Sequence, residues 1–193
     1  MSEIGKLFVI VGPSGVGKGT LIKRLMERVP FLFLSISATT RSPRKGEVDG
    51  VNYYFLSNSE FETRIKDKDF LEWATIYGNY YGTLRDKVVQ KLMLPMDVIL
   101  EIDVQGAREI KENSDGDTVY IFIKPPSEEE LKKRLTKRDT ESDEEIKKRL
   151  SIAIEELRAE SEFEHVIIND DLEVAVDKLV DIIIKCRESN IIN

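Results

Sequence analysis

Leu7-Phe8-Val9-Ile10-Val11-Gly12-Pro13-Ser14-Gly15-Val16-Gly17-Lys18-Gly19-Thr20 joins an apolar run to a glycine-rich turn with Gly-x-x-x-x-Gly-Lys spacing. The apolar run reads as a buried strand, and Leu21, Ile22, Leu25, Met26 and Val29 follow at helical spacing. Strand, glycine turn and helix in that order are the context a phosphate-binding loop requires. Glycines let backbone N–H groups approach phosphate oxygens, and the helix that starts here adds its positive end. Lys18 is placed to reach the β- and γ-phosphates as a point charge. The next position, where a hydroxyl ligand to Mg²⁺ is usual, is Gly19. These residues predict binding of a nucleoside triphosphate and leave its use open.

The rest of the chain sets the frame. Further apolar runs at Phe31–Ser37, Val98–Asp103, Val119–Ile123 and His165–Ile168 predict four more short strands. Helical spacing recurs in Ile146, Leu150, Ala153, Ile154 and Leu157, and in Ala175, Val176, Leu179, Ile183 and Cys186. Pro125-Pro126-Ser127 before three glutamates reads as a loop and N-cap. Strands alternating with helices predict an α/β fold, a P-loop NTPase-type parallel sheet with helices on both faces. Two stretches break the alternation. Residues from about Thr39 to Gln90, rich in Tyr, Gly and charge, read as an inserted small subdomain. Lys137–Lys148, almost entirely polar, reads as a mobile, solvent-facing segment between two helices.

At 193 residues the chain can bury one core. A net charge of −7 argues against bulk nucleic-acid binding, while leaving room for a local basic pocket. One cysteine, Cys186, and one histidine, His165, exclude a zinc cluster and leave a His-dependent nucleophilic triad without support. Both fall in apolar structural contexts. No signal-peptide pattern or membrane-length apolar stretch is legible, so a cytoplasmic protein with no membrane partner is expected.

A second constellation follows the second strand. Ser37-Ala38-Thr39-Thr40-Arg41-Ser42-Pro43-Arg44-Lys45-Gly46-Glu47 offers two guanidinium forks among hydroxyls, suited to a dianionic phosphate. Taken alone, the same loop also reads as a solvated basic turn. Glu72-Trp73-Ala74 and Tyr77-Gly78-Asn79-Tyr80-Tyr81-Gly82-Thr83 read either as a self-packed aromatic hairpin or as a base pocket. In the second reading a carboxylate accepts the paired N–H groups of guanine, a pair adenine lacks, and the Thr83 hydroxyl donates to guanine O6. Glu101 and Asp103, two apart at the end of the third strand, point to one side, where an acid organises Mg²⁺ and its waters.

With these motifs together, the chain resembles the guanylate kinases over essentially its whole length. The matching pieces are the Gly12–Lys18 loop, Ser37–Glu47, Glu72-Trp73-Ala74 with Gly78–Thr83, Ile102–Gly106, the arginine-rich lid and Val166–Leu172. The resemblance implies ATP + GMP ⇌ ADP + GDP with Mg²⁺, in a core with an inserted GMP-binding subdomain and a helical lid. The boundaries it suggests are 1–37, 92–136 and 150–193 for the core, 38–91 for the subdomain and 137–149 for the lid. It implies that Ser37, Arg41, Arg44, Tyr53 and Tyr81, with Glu47 beside them, form the GMP phosphate site. Glu72, Thr83 and Glu101 would face guanine, and Asp103 would hold Mg²⁺ through water. Arg134, Arg138 and Arg149 lie at lid positions that contact ATP phosphates or the migrating group, and Asn169 lies near the donor adenine. Glu101 stands where the family often has Asp, and Thr83 where Ser is frequent. A monomer or homodimer is expected. The alternatives are a kinase of another nucleoside monophosphate and a scaffold domain of the same fold that binds phosphorylated peptide. Retention of Lys18 and its loop speaks against the scaffold.

Overall fold

The computed structural model describes residues 4–76, 78–113, 117–136 and 143–188. Five strands form a parallel sheet: β1 (Leu7–Val11), β2 (Leu32–Leu34), β7 (Asp97–Ile102), β8 (Thr118–Lys124) and β9 (His165–Ile168), in the order β2-β7-β1-β8-β9. Alternation divides the core between the sheet's two faces. Phe8, Ile10, Ile99, Ile121 and Ile123 pack with Leu21, Ile22 and Leu25 of α1 (Lys18–Arg28) and with Ala175, Val176, Leu179 and Ile183 of α7 (Leu172–Glu188). Val9, Val11, Val98, Leu100 and Phe122 pack on the other face with Val88 of α3 (Arg85–Leu92) and Ala107 and Ile110 of α4 (Val104–Asn113). Sheet and helices on both faces therefore stand as the sequence predicts.

A second sheet, ordered β4-β3-β6-β5, contains β3 (Ala38–Thr39), β4 (Tyr54–Phe55), β5 (Phe70–Ile76) and β6 (Asn79–Leu84). Helix α2 (Asn58–Lys66) covers it. The Ser57 hydroxyl accepts the Glu60 N–H while the Glu60 side chain returns to the Ser57 N–H, closing both ends of a capping box. Phe61 of α2 stacks on Phe70 at 4.3 Å and on Tyr80 at 5.2 Å, giving this sheet its own small apolar cluster.

Two expectations are corrected. The run Phe31–Ser37 is not one strand: β2 ends at Leu34, the Ser35 N–H still donates to the Ile99 carbonyl, and the chain crosses to the second sheet at Ala38. Pairing with β7 covers only Leu32–Leu34 although β7 itself runs on to Ile102, because the chain turns away toward the second sheet, so apolar character alone overstates the strand's length. The polar stretch Lys137–Lys148 does not lie wholly between two helices either. Residues 137–142 lie outside those described, and from Asp143 the chain is α6 (Asp143–Leu157). Helix propagates readily from a nucleus held by burial, here Ala153 and the flanking Leu150 and Leu157. Before it, Ser127 caps α5 (Glu128–Thr136), its Oγ accepting the Glu130 N–H at 3.2 Å.

Candidate active site

The carboxyl ends of the parallel strands and the second sheet face one another across a cleft of ≈1580 Å³. One wall is the glycine-rich loop, whose shape is set by close approach. A Cβ on Gly12 would lie 2.3 Å from the Ile123 carbonyl oxygen, and Gly17 caps α1 at φ 98° with Asn169 Nδ2 only 2.7 Å from where its Cβ would be. Asn169 Nδ2 donates to the Val16 carbonyl at 2.8 Å, so this buried side chain holds the loop from behind. Arg134 acts beside it, donating to the Asn169 carbonyl at 3.0 Å and to Glu130.

Lys18 Nζ donates to the Gly12 carbonyl at 2.5 Å and to that of Pro13 at 3.3 Å. Burial pulls its pKa down, while Glu101, Glu156 and Asp103 act in the opposite sense. Glu101 sits on the loop side of the cleft: its oxygens are 3.6 and 3.8 Å from the place a Cβ on Gly19 would take. Asp103 Oδ1 accepts the Gly106 N–H at 2.8 Å and so caps the first turn of α4. Arg149 of α6 is buried, and its Nη2 donates to Ser14 Oγ at 2.9 Å. Ser14, Thr20, Glu101, Asp103 and Arg149 all line the cleft.

The opposite wall carries Ser37, Tyr53, Glu72 and Tyr81. Glu72 and Thr83 are direct cross-strand partners in the β5–β6 pair, and both are buried. Thr83 Oγ1 donates to Glu72 Oε1 at 2.6 Å. Burial pushes the Glu72 carboxyl up to about 7, against the opposing pull of the Thr83 hydroxyl, with Asp103 and Glu109 adding to the rise. Arg41 makes a bidentate pair with Glu47, Nη1 to Oε2 at 3.0 Å and Nη2 to Oε1 at 2.9 Å. Its guanidinium lies 5.3 Å from the Tyr53 ring centroid, and the Tyr53 and Tyr81 rings meet edge to face. Glu47 Oε2 also accepts the Arg44 N–H at 2.7 Å, which closes the loop. The Arg44 residue itself is exposed.

Of the residues singled out from sequence, the fold gathers the Gly12–Thr20 loop, Glu101, Asp103 and Arg149 at one side and Ser37, Tyr53, Glu72, Tyr81 and Thr83 at the other. Arg41, Glu47 and Arg44 form one cluster next to Tyr53. Arg134 and Asn169 stand behind the loop, and Arg138 lies outside the described residues. Glu156 escaped the sequence reading. It lines the cleft, and burial pushes its carboxyl up to about 7 against the pull of Lys18. Its spacing from Arg149, two helical turns on, was the available signal.

Comparison with known proteins agrees with this geometry. The guanylate kinase family model matches residues 4–186. The chain is 55% identical over 185 residues to the guanylate kinase of Caldanaerobacter subterraneus subsp. tengcongensis, covering 95% of this chain and 89% of that protein. It is 52% identical over 179 residues to that of Synechocystis sp., with 93% of each covered. The crystal structure of guanylate kinase from Anaplasma phagocytophilum superimposes with a TM-score of 0.76 at 32% identity, over 94% of this chain and 86% of that one. A family match across nearly the whole chain, with a fold and a two-walled cleft to suit, makes this protein a member of the guanylate kinase family, the ATP-dependent kinases of GMP.

Proposed function

We propose that the chain transfers the γ-phosphoryl group of ATP directly, in line, to the phosphate of GMP. The observation that carries this is one shared cleft, lined on one side by the glycine-rich loop and Lys18 and on the other by Ser37, Tyr53, Glu72 and Tyr81. In this reading residues 38–91 form the GMP-binding subdomain, 137–149 the lid and the remainder the core. The loop amides and Lys18 hold the donor phosphates. Ser37, Arg41, Arg44, Tyr53 and Tyr81 hold the acceptor phosphate, with Glu47 orienting Arg41. Glu72 reads the base, and Thr83 and Glu101 complete its surroundings.

Transfer between two phosphates asks the protein for positioning and charge neutralisation more than for covalent chemistry. The acceptor is already anionic at neutral pH, since its second pKa is ~6, so no strong general base is required. Bringing two anions together is offset by Lys18, Arg41, Arg44 and Arg149, with Arg134 and Arg138 assigned to the same task.

The donor set also fits Mg²⁺. Asp103, Glu101 and Glu156 line the cleft with hard oxygen donors and act electrostatically on Lys18. Among the described residues no three such groups converge on one point. That suits an ion that keeps its waters and takes nucleotide phosphates, here through water on Asp103. Bound there, the ion would supply positive charge that offsets the charge of the phosphates. We place the protein in the cytoplasm as a monomer or homodimer; no described helix is long and apolar enough to cross a membrane.

A coupled assay of ADP release with GMP, dGMP, AMP, UMP and dTMP tests the reading. GMP is expected to be preferred over AMP and the pyrimidine nucleotides. Equal rates with GMP and AMP would remove the role given to Glu72.

A further inference from the structure

Gly106 is a helical residue in the first turns of α4, with no positive φ to require glycine. Alanine favours a helix more than glycine does, so the backbone gives no reason for glycine there. Space does. A Cβ on Gly106 would meet Glu72 Oε2 at 2.8 Å, Cδ at 3.2 Å and Cγ at 3.4 Å, and these three atoms of one side chain are its nearest neighbours. The other carboxylate oxygen, Oε1, is held by the Thr83 hydroxyl at 2.6 Å. Glu72 is therefore fitted between a hydroxyl on β6 and the bare Cα of Gly106. The same helix grips the next residue as well, since Glu109 Oε2 accepts the Trp73 N–H at 3.2 Å. Helix α4 thus braces β5 at two consecutive positions.

We infer that Gly106 is a positioning residue that determines specificity, its missing side chain setting where the Glu72 carboxylate stands to read the base. This rests on the assignment of Glu72 to guanine. The Gly106 N–H donates to Asp103 Oδ1, and alanine retains that N–H. A Cβ therefore acts on the base side of the cleft and leaves the cap on Asp103 intact.

The test compares the parent with Gly106→Ala, Glu72→Asp, Glu72→Gln and the double variant Gly106→Ala/Glu72→Asp. Each is assayed with GMP and with inosine monophosphate, which lacks the exocyclic amine. GMP binding is read separately from fluorescence of Trp73, the sole tryptophan. Gly106→Ala is expected to raise the GMP KM by about tenfold or more and to lower the GMP-to-IMP preference, with the ATP KM within about twofold of the parent. In the double variant the shorter carboxylate leaves room for the methyl group, so the loss is expected to match that of Glu72→Asp alone. That comparison holds even if Gly106→Ala by itself folds poorly. An unchanged GMP KM in Gly106→Ala, equal losses with GMP and IMP, or additive losses in the double variant would overturn the inference. A Glu72→Gln variant with unaltered GMP-to-IMP preference would instead overturn the base assignment beneath it.

Discussion

Thr83 and Glu72 face each other across two antiparallel strands, and the 2.6 Å hydrogen bond between them lies where Glu72 is only 5% exposed. A carboxyl so enclosed holds its proton to about pH 7. In the proposed role of Glu72, function and stability pull on one group in opposite directions, because a carboxylate that reads N–H donors must be ionised.

Stability should record that conflict. The ordinary carboxyl value is 4.5, and the folded value is about 7. Between these the folded chain keeps a proton the unfolded chain has lost, so this group's contribution falls as pH rises from about 4.5 to 7. At 1.36 kcal/mol per unit, the full loss is on the order of 3 kcal/mol. Glu72→Gln keeps an acceptor for Thr83 and cannot ionise. The melting temperature of Glu72→Gln relative to the parent is expected to rise between pH 5 and pH 8. A difference that stays flat with pH would contradict the raised carboxyl.

The same substitution should harm GMP use. Glutamine cannot accept both base N–H groups, and the unpaired buried partner costs ~1–3 kcal/mol. Steady-state kinetics are expected to show kcat/KM for GMP falling by about ten- to a hundredfold, with ATP binding little changed.

Arg41 depends on Glu47 for its direction. Arg41→Ala and Arg44→Ala are expected to raise the GMP KM by about ten- to a hundredfold, the worth of charge-assisted hydrogen bonds to a phosphate. Glu47→Gln should produce a smaller rise, because it unfixes the Arg41 fork without removing it. ATP KM, measured in the same assays, should stay near the parent value.

Arg149 reaches the glycine-rich loop at Ser14 from another helix. If it stabilises the charge that moves between the phosphates, Arg149→Ala should lower kcat by about a hundredfold, the scale of losing one preorganised donor. A rise confined to the ATP KM would show that it serves binding alone.

Much of the architecture was legible because it is local. The Leu7–Thr20 strand and turn, the Ser127 cap and the apolar face of α7 each depend on neighbours within a few residues. Hydrogen bonding and periodicity over such spans can be read directly from residue order. The division of Phe31–Thr39 between two sheets was not legible, because it depends on the chain leaving β7 beside Ile99 and pairing anew with Gly82 and Tyr81 of β6. Glu156 left only the trace of its spacing from Arg149, because its tie to Lys18 depends on how α6 packs across the cleft.

The chain's own order thus determined a glycine-rich loop between strand and helix, a parallel sheet with helices on both faces and most of the candidate side chains along the two walls of the cleft. Tertiary structure decided their pairings. It brought Gly106 against Glu72 and Asn169 behind Val16, contacts spanning 34 and 153 residues. Such contacts follow from packing of separate elements against one another, which is cooperative and leaves no periodic trace in the sequence. Gly19, conspicuous at first as a missing hydroxyl, also gained a neighbour in this way: the Glu101 carboxylate, close to where its side chain would have been.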